Sequence, residues 1–307
     1  MSFLTPLRYP GGKGRMGPWI AELLRYNNIS GGWYVEPYAG GCGAALFLLT
    51  YGYVDQIVIN DADPVIFSFW KMVTEKSEEL IEKIEVTSVS METWRTQREI
   101  LVVPNEHSML DVAFAAFFLN RTNRSGILSG GVIGGQHQSG KWALNARYNK
   151  KDLISRIRSI AKLSKRICVY GLDALDLLDL IEPSMPKKSL IYLDPPYFHK
   201  GSQLYRNFYN KDDHAAIAQR VERLRVPVIV TYDNAREISD IYRSFSQVDF
   251  SLRYSTHSAR PLATELLIYK NIKLHSAPEL TRGRNLHPAR PDEASDIVPK
   301  CVHELAI

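Results

Sequence analysis

The sequence has no apolar run of membrane-spanning length. Its longest, "AALFLL" (44–49) and "VAFAAFFL" (112–119), fall far short of the ~20 residues a bilayer crossing needs. The opening "MSFLTPLRYPGGKGR" has no charged stretch followed by an apolar core, so no secretory leader is expected. Cysteine is scarce: Cys42, Cys168 and Cys301 are odd in number, widely spaced and without metal-ligand spacing. That usage predicts a reduced, cytoplasmic protein with no structural metal. Two nucleotide signatures are missing as well. In "LRYPGGKGR" (7–15) the spacing of a Walker A loop would need a glycine at position 7, which is Leu7. The glycine cluster after "WYVEPY" (33–38) lacks the GxGxxG spacing that cradles a pyrophosphate.

What is present is ordinary globular composition. The 307 residues are 45% hydrophobic and 23% charged, enough for one large domain or a domain with a substantial insertion. Short strand-like runs, "WYVEPY", "QIVIN" (56–60), "ICVY" (167–170), "LIYL" (190–193) and "VPVIVTY" (226–232), each have helical sequence nearby. Such alternation predicts an α/β fold on a mostly parallel sheet, with "ATELLIYKN" (263–271) as a late returning strand. The alternation breaks between about 86 and 166, where a helix-like run leads into a stretch rich in Gly, Ser, Asn and Gln. The expected organisation is therefore an α/β domain of residues 1–85 and 167–272, an insertion of 86–166, mainly helix and loop, and a disordered tail of 273–307.

Charge is unevenly spread. From Arg121 to Arg166 eleven Lys/Arg face one acid, Asp152, a local +10 on a chain whose formal total is +5. A block of this kind suits a polyanion partner, and on charge alone it suits a solvated basic helix equally well.

Three short stretches carry chemistry. In "VEPYAGGCGAALF" (35–47) a strand, glycines and a helix follow one another, and Asp61 lies ~20 residues on, where nucleotide folds place a ribose-binding acid. A nucleoside cofactor without pyrophosphate fits this better than a dinucleotide. In "LRYPGGKGR" Lys13 follows two glycines and reads, by composition, as a flexible turn. In "LIYLDPPYFHK" (190–200) the strand stops at Asp194 because neither Pro195 nor Pro196 can donate to a ladder. A carboxylate, a rigid carbonyl and the ring of Tyr197 are thus held at a strand end. Two acceptors beside a ring suit the exocyclic amine of a base swung out of a duplex, since preorganised acceptors favour the tetrahedral nitrogen of the transition state.

In that order the motifs resemble the Dam-like DNA adenine-N6 methyltransferases, which use S-adenosylmethionine. The resemblance spans most of residues 5–272 and includes "RYPGGKGR", "VINDADP", "FFLNRTNRSGI", "ARYNKKDLISRI", "VTYDNAREI" and "TELLIYKN". It implies a Rossmann-like methyltransferase sheet with an inserted DNA-recognition region. It implies cofactor binding by Tyr9, Lys13, Glu36, Pro37, Tyr38, Ala39, Gly40, Asp61 and Asp194, and catalysis by Asp194, Pro195, Pro196 and Tyr197. It implies DNA contacts from Arg121, Asn123 and Arg124, and the basic block adds Lys141, Arg147, Lys150 and Lys151. Tyr38 stands where the family usually has phenylalanine, and the glycine-rich insertion lacks the recognition hairpin of GATC-specific members. Duplex DNA is the expected partner, with a restriction endonuclease or other defence component as a further one. Cytosine N4 methylation and a non-catalytic DNA binder are the alternatives. Asp at the first position of the tetrapeptide favours adenine, since the cytosine relatives more often carry Ser there.

Overall fold

The runs Gln56–Asn60 and Ser189–Leu193 are buried along their whole length, as strands covered on both faces must be. They are β2 and β4 of a seven-stranded sheet whose other strands are β1 (Trp33–Glu36), β3 (Ile167–Tyr170), β5 (Val228–Asp233), β6 (Ser246–Arg253) and β7 (Leu262–Lys270). The order is β3-β2-β1-β4-β5-β7-β6. The first five strands pair in parallel, and β7 enters antiparallel to both β5 and β6. This is the mostly parallel α/β sheet that the alternation predicts, in the Rossmann-like form the resemblance implies, with strand order reversing between β1 and β4.

The computed structural model describes residues 4–8, 13–198, 209–253, 262–278 and 301. They fall into two compact units. The first holds the sheet and takes in Lys13–Ala62 and the described residues from Lys165 onward; the second takes in Asp63–Ser164 with residues 4–8. Helices of the sheet unit are α1 (Gly17–Tyr26) and α2 (Gly43–Thr50), then, after those of the other unit, α8 (Ala174–Ile181), α9 (Lys211–Arg223) and α10 (Arg236–Ile241). One face of α8 (Leu177, Leu178, Ile181) and one of α9 (Ile217, Ala218, Val221) share a core with Val35, Val58, Ile191 and Val230. The spacing of those residues is the apolar stripe of an amphipathic helix.

The second unit is helical: α3 (Pro64–Glu75), α4 (Ser77–Val86), α5 (Met91–Ile100), α6 (Met109–Thr122) and α7 (Lys150–Ala161). Every residue of α6 from Val112 to Thr122 is buried, which makes it the core helix of the unit; a helix apolar all round belongs inside. Phe117 of α6 stacks on Phe69 of α3. Helices α3, α6 and α7 start on side-chain caps: Asp63 accepts from Val65 N, Ser108 from Asp111 N and Asn149 from Asp152 N. The unit begins at Asp63 rather than near residue 86, because α3 and α4 pack on α6 and α7. An amphipathic helix goes where its apolar stripe is buried, and sequence alternation does not reveal that place.

Two expectations about the termini change. Residues 273–278 are docked on α1 rather than loose: Asn27 exchanges hydrogen bonds with the backbone of Lys273, Trp19 Nε1 donates to Ser276 O, and His275 lies 3.3 Å from Glu22. The tail from 279 to 300 and from 302 lies outside the described residues. Cys168 and Cys301 form a disulfide across 133 residues of sequence, so the reduced reading holds only for buried Cys42. Spacing along the chain says nothing about distant segments that fold together. No helix among the described residues is long and apolar enough to cross a membrane.

Candidate active site

Where strand order reverses in an open α/β sheet, the loops leaving the two diverging strands part and leave a crevice at their carboxyl ends. Here those strands are β1 and β4, paired in parallel with Val35 opposite Ile191. The loop leaving β1 is the glycine cluster, and the loop leaving β4 is Asp194–Tyr197. Two motifs far apart in sequence are therefore neighbours for a topological reason.

The glycine loop is tightly built. Ala39 N donates to Asn60 O and Cys42 N to Ala39 O. Cys42, immediately before α2, takes a left-handed conformation (φ 53°). A side chain at Gly43 would meet the backbone of Gly14 at 2.9 Å, so the glycine serves a close approach of two backbones. Asp61, at the end of β2, accepts from Gly40 N at 3.0 Å. Its carboxylate thus reaches the glycine loop, while Asp63 in the same motif caps α3. Asn60, missed in the sequence, ties three strand ends together: its amide donates to Pro37 O and Leu172 O and accepts from Leu172 N. Pro37, Ala39 and Gly40 are buried, and half-buried Tyr38 hydrogen-bonds Tyr209 through the hydroxyls.

Glu36 is buried and accepts from Tyr34 OH and Ala45 N. Burial, helped by the charge of Asp194, raises its carboxyl to about 8, against the bonds from Tyr34 and Ala45 that favour the ionised form.

At the end of β4, Asp194 is partly exposed and held from two sides. Thr231 Oγ1 of β5 donates to its Oδ1 at 2.7 Å, and Lys13 Nζ lies 3.0 and 3.3 Å from its two oxygens. The same ammonium contacts Tyr197 Oη at 3.2 Å and Glu265 Oε2 at 3.3 Å. Tyr197 Oη donates to Glu265 Oε1 at 2.8 Å. Tyr192 Oη pairs with Thr231 Oγ1, extending the network into the core. Burial raises the carboxyl of Asp194, Glu265 adds to the rise, and Lys13 and Thr231 oppose it. Phe198 N donates to Asp233, which pins the exit of the loop on β5. Pro195, Pro196 and Tyr197 are all buried.

Lys13 is therefore no flexible turn residue: its side chain is 3% exposed and shared by two carboxylates. Like Asn60, Glu265 and Thr231 are site residues that motif reading missed. Glu265 does leave a trace, since it is an acid inside the apolar run "LATELLIYK" of β7, and a buried acid needs a partner. Tyr9 lies outside the described residues.

The basic block of the second unit separates into two classes. Arg124, Lys141, Arg147 and Lys151 are exposed, as is Trp142, whose ring carries Lys141 Nζ at 5.6 Å. Arg121 is buried; desolvation, with Arg156 and Arg8 nearby, lowers its guanidinium to about 9. Asn123 is also buried, where its amide accepts from Trp94 Nε1 and donates to Ile127 O and Leu128 O. It builds the turn after α6 instead of facing outward. The ammonium of Lys150 is engaged as well, on the carbonyls of Glu85 and Thr87. Gln138 bonds to Ile133 O, Gly135 O and Leu144 N, so the glycine-rich stretch is an ordered loop.

Over 241 residues the chain is 24% identical to the Type II methyltransferase M.MjaIII of Methanocaldococcus jannaschii, covering 71% of this chain and 79% of that one. Among solved structures, a SAM dependent methyltransferase from Agrobacterium tumefaciens is similar at 9% identity and a TM-score of 0.38, covering 82% of this chain and 59% of that one. Residues 9–256 match the family model of D12 class N6 adenine-specific DNA methyltransferases, and the adenine specificity in its description decides against the cytosine alternative. The chain belongs to the D12 class of N6 adenine-specific DNA methyltransferases.

Proposed function

We propose that methyl transfer to the adenine N6 amine takes place at Asp194–Tyr197, on a base swung out of the duplex. The observation that carries this reading is the carboxylate of Asp194, fixed at a strand end by Thr231 and Lys13. An adenine amine is a poor nucleophile because its lone pair is delocalised into the ring. Asp194 accepts one N–H and the Pro195 carbonyl the other, which favours the tetrahedral nitrogen on which positive charge develops. Tyr197 offers its ring to the base. That ring is buried here, so a stacking base must displace what covers it.

S-adenosylmethionine, the methyl donor, supplies an electrophilic methyl on a cationic sulfonium. The residues present fit such a group: the glycine loop after β1 is tightly built, and the carboxylate of Asp61 reaches it as an acceptor for ribose hydroxyls. We assign its binding to Lys13, Glu36, Pro37, Tyr38, Ala39, Gly40 and Asp61, with Asp61 as the ribose acceptor. Tyr9 completes the set by resemblance.

We assign DNA backbone contacts to the exposed Arg124, Lys141, Arg147 and Lys151, with Trp142 as an apolar surface beside them. Asn123 and Lys150 act as scaffold in this assignment, and Arg121 adds its charge from beneath the surface. We place the protein in the cytoplasm with its substrate. The designation of its relative as a Type II methyltransferase supports a partner restriction endonuclease reading the same site.

Nucleoside mass spectrometry tests the assignment. Unmethylated duplex incubated with the protein and S-adenosylmethionine should yield N6-methyladenine in one sequence context. N4-methylcytosine, or no modified base, would overturn it.

A further inference from the structure

Glu265 is fully buried in β7 and touches neither the target amine nor the base in the proposed transfer. Its two oxygens have different partners, Tyr197 Oη at 2.8 Å and Lys13 Nζ at 3.3 Å. Lys13 in turn reaches both oxygens of Asp194. One ammonium is thus divided between two carboxylates, only one of which lies at the end of β4.

We propose that Glu265 is a positioning residue for methyl transfer: by sharing Lys13 it keeps that ammonium from neutralising Asp194, and by accepting from Tyr197 it fixes the ring. This rests on the assignment of Asp194 as the acceptor of the target amine. With Glu265 neutral, the pull on Lys13 from β7 is gone and its ammonium closes on Asp194. The target amine must then compete with an ammonium for the same oxygens. Tyr197 loses its charged acceptor in the same change, and its ring can turn. A buried ion pair gives little net stability against a well-packed apolar isostere, so stability alone is a weak reason for an acid here.

Among the described residues, the charged or titratable groups that act on Asp194 are Lys13, Glu265, Tyr192 and, at longer range, Glu36. Of these, Glu265 raises the carboxyl of Asp194 and Lys13 lowers it. Removing the charge of Glu265 must therefore lower the pH at which Asp194 becomes protonated. A merely structural residue would leave that pH alone.

The test is the single-turnover methylation rate as a function of pH, with duplex and S-adenosylmethionine saturating, for the full-length wild type, Glu265→Gln and Glu265→Asp. Calorimetric titration of the cofactor and a thermal melt accompany each. Glu265→Gln should lower the rate by about tenfold or more, leave the cofactor dissociation constant within about threefold, and move the acid limb to lower pH. Glu265→Asp should recover part of the rate and return the limb toward that of the wild type. A Gln variant with wild-type rate and an unmoved limb would overturn the inference, as would a rate loss explained wholly by lost cofactor binding. If Glu265→Gln does not fold, Glu265→Asp carries the test: it withdraws the charge by one methylene and must slow turnover, and a wild-type rate overturns the role. Wild-type protein that forms no N6-methyladenine would sink the assignment of the reaction itself. A methylating wild type with an indifferent Gln variant sinks only the role of Glu265.

Discussion

Thr231 donates its hydroxyl to Oδ1 of Asp194 at 2.7 Å, across the ladder that joins β5 to β4. The hydroxyl is itself held by Tyr192 Oη at 2.8 Å. The carboxylate is therefore aimed from the rigid sheet, and the loop that carries it need not be rigid alone.

Thr231→Val keeps the shape of the side chain and deletes the donor. A hydrogen bond to a charged group contributes about 1.5–3 kcal/mol, so the single-turnover rate should fall by roughly ten- to a hundredfold. Because that bond holds the carboxyl of Asp194 down, its loss should move the acid limb to higher pH, opposite to Glu265→Gln. A limb that moves down, or a rate at the wild-type level, would show that Thr231 does not position the acceptor.

Glu36 gives a pH signature in stability. Its folded-state carboxyl stands at about 8 against an ordinary 4.5, chiefly through burial. For a group raised on folding, the contribution to stability is fully present below 4.5 and is lost as pH rises through 8. Glu36→Gln removes that loss. Melting temperatures measured from about pH 5 to 8 should show a gap opening in favour of the Gln variant as pH rises. A constant gap would mean that Glu36 is ionised throughout.

The two adjacent lysines of α7 should behave differently. Lys151 is exposed, whereas the ammonium of Lys150 sits on the carbonyls of Glu85 and Thr87. In a filter-binding series over salt, Lys151→Ala should weaken every duplex alike and flatten the log–log slope by about one unit. Lys150→Ala should leave the slope near that of the wild type. Equal slopes for all three proteins would make the exposed block a solvated face.

Much of the fold and the site is legible in the sequence. Parallel strands buried on both faces leave continuous apolar runs, and prolines after Asp194 mark a strand end without ambiguity. Lys13 reads as a flexible turn by composition because its partners, Asp194 and Tyr197, lie 181 and 184 residues away. Thr231 is invisible for a similar reason: a threonine inside a strand looks like any other until register sets it beside Asp194. Glu265 is the readable omission, since an acid within an apolar strand already asks for a partner. The basic block shows the converse limit. Charge counting weighs Arg121, Lys150 and Lys151 alike, and only burial separates them.

The central claim is that Asp194 receives the target amine, and single-turnover methylation by Asp194→Ala tests it most directly. With cofactor binding confirmed by calorimetry, the account predicts no measurable N6-methyladenine over the time in which wild type completes the reaction. A rate above about a tenth of wild type, a barrier change under ~1.4 kcal/mol, would contradict it.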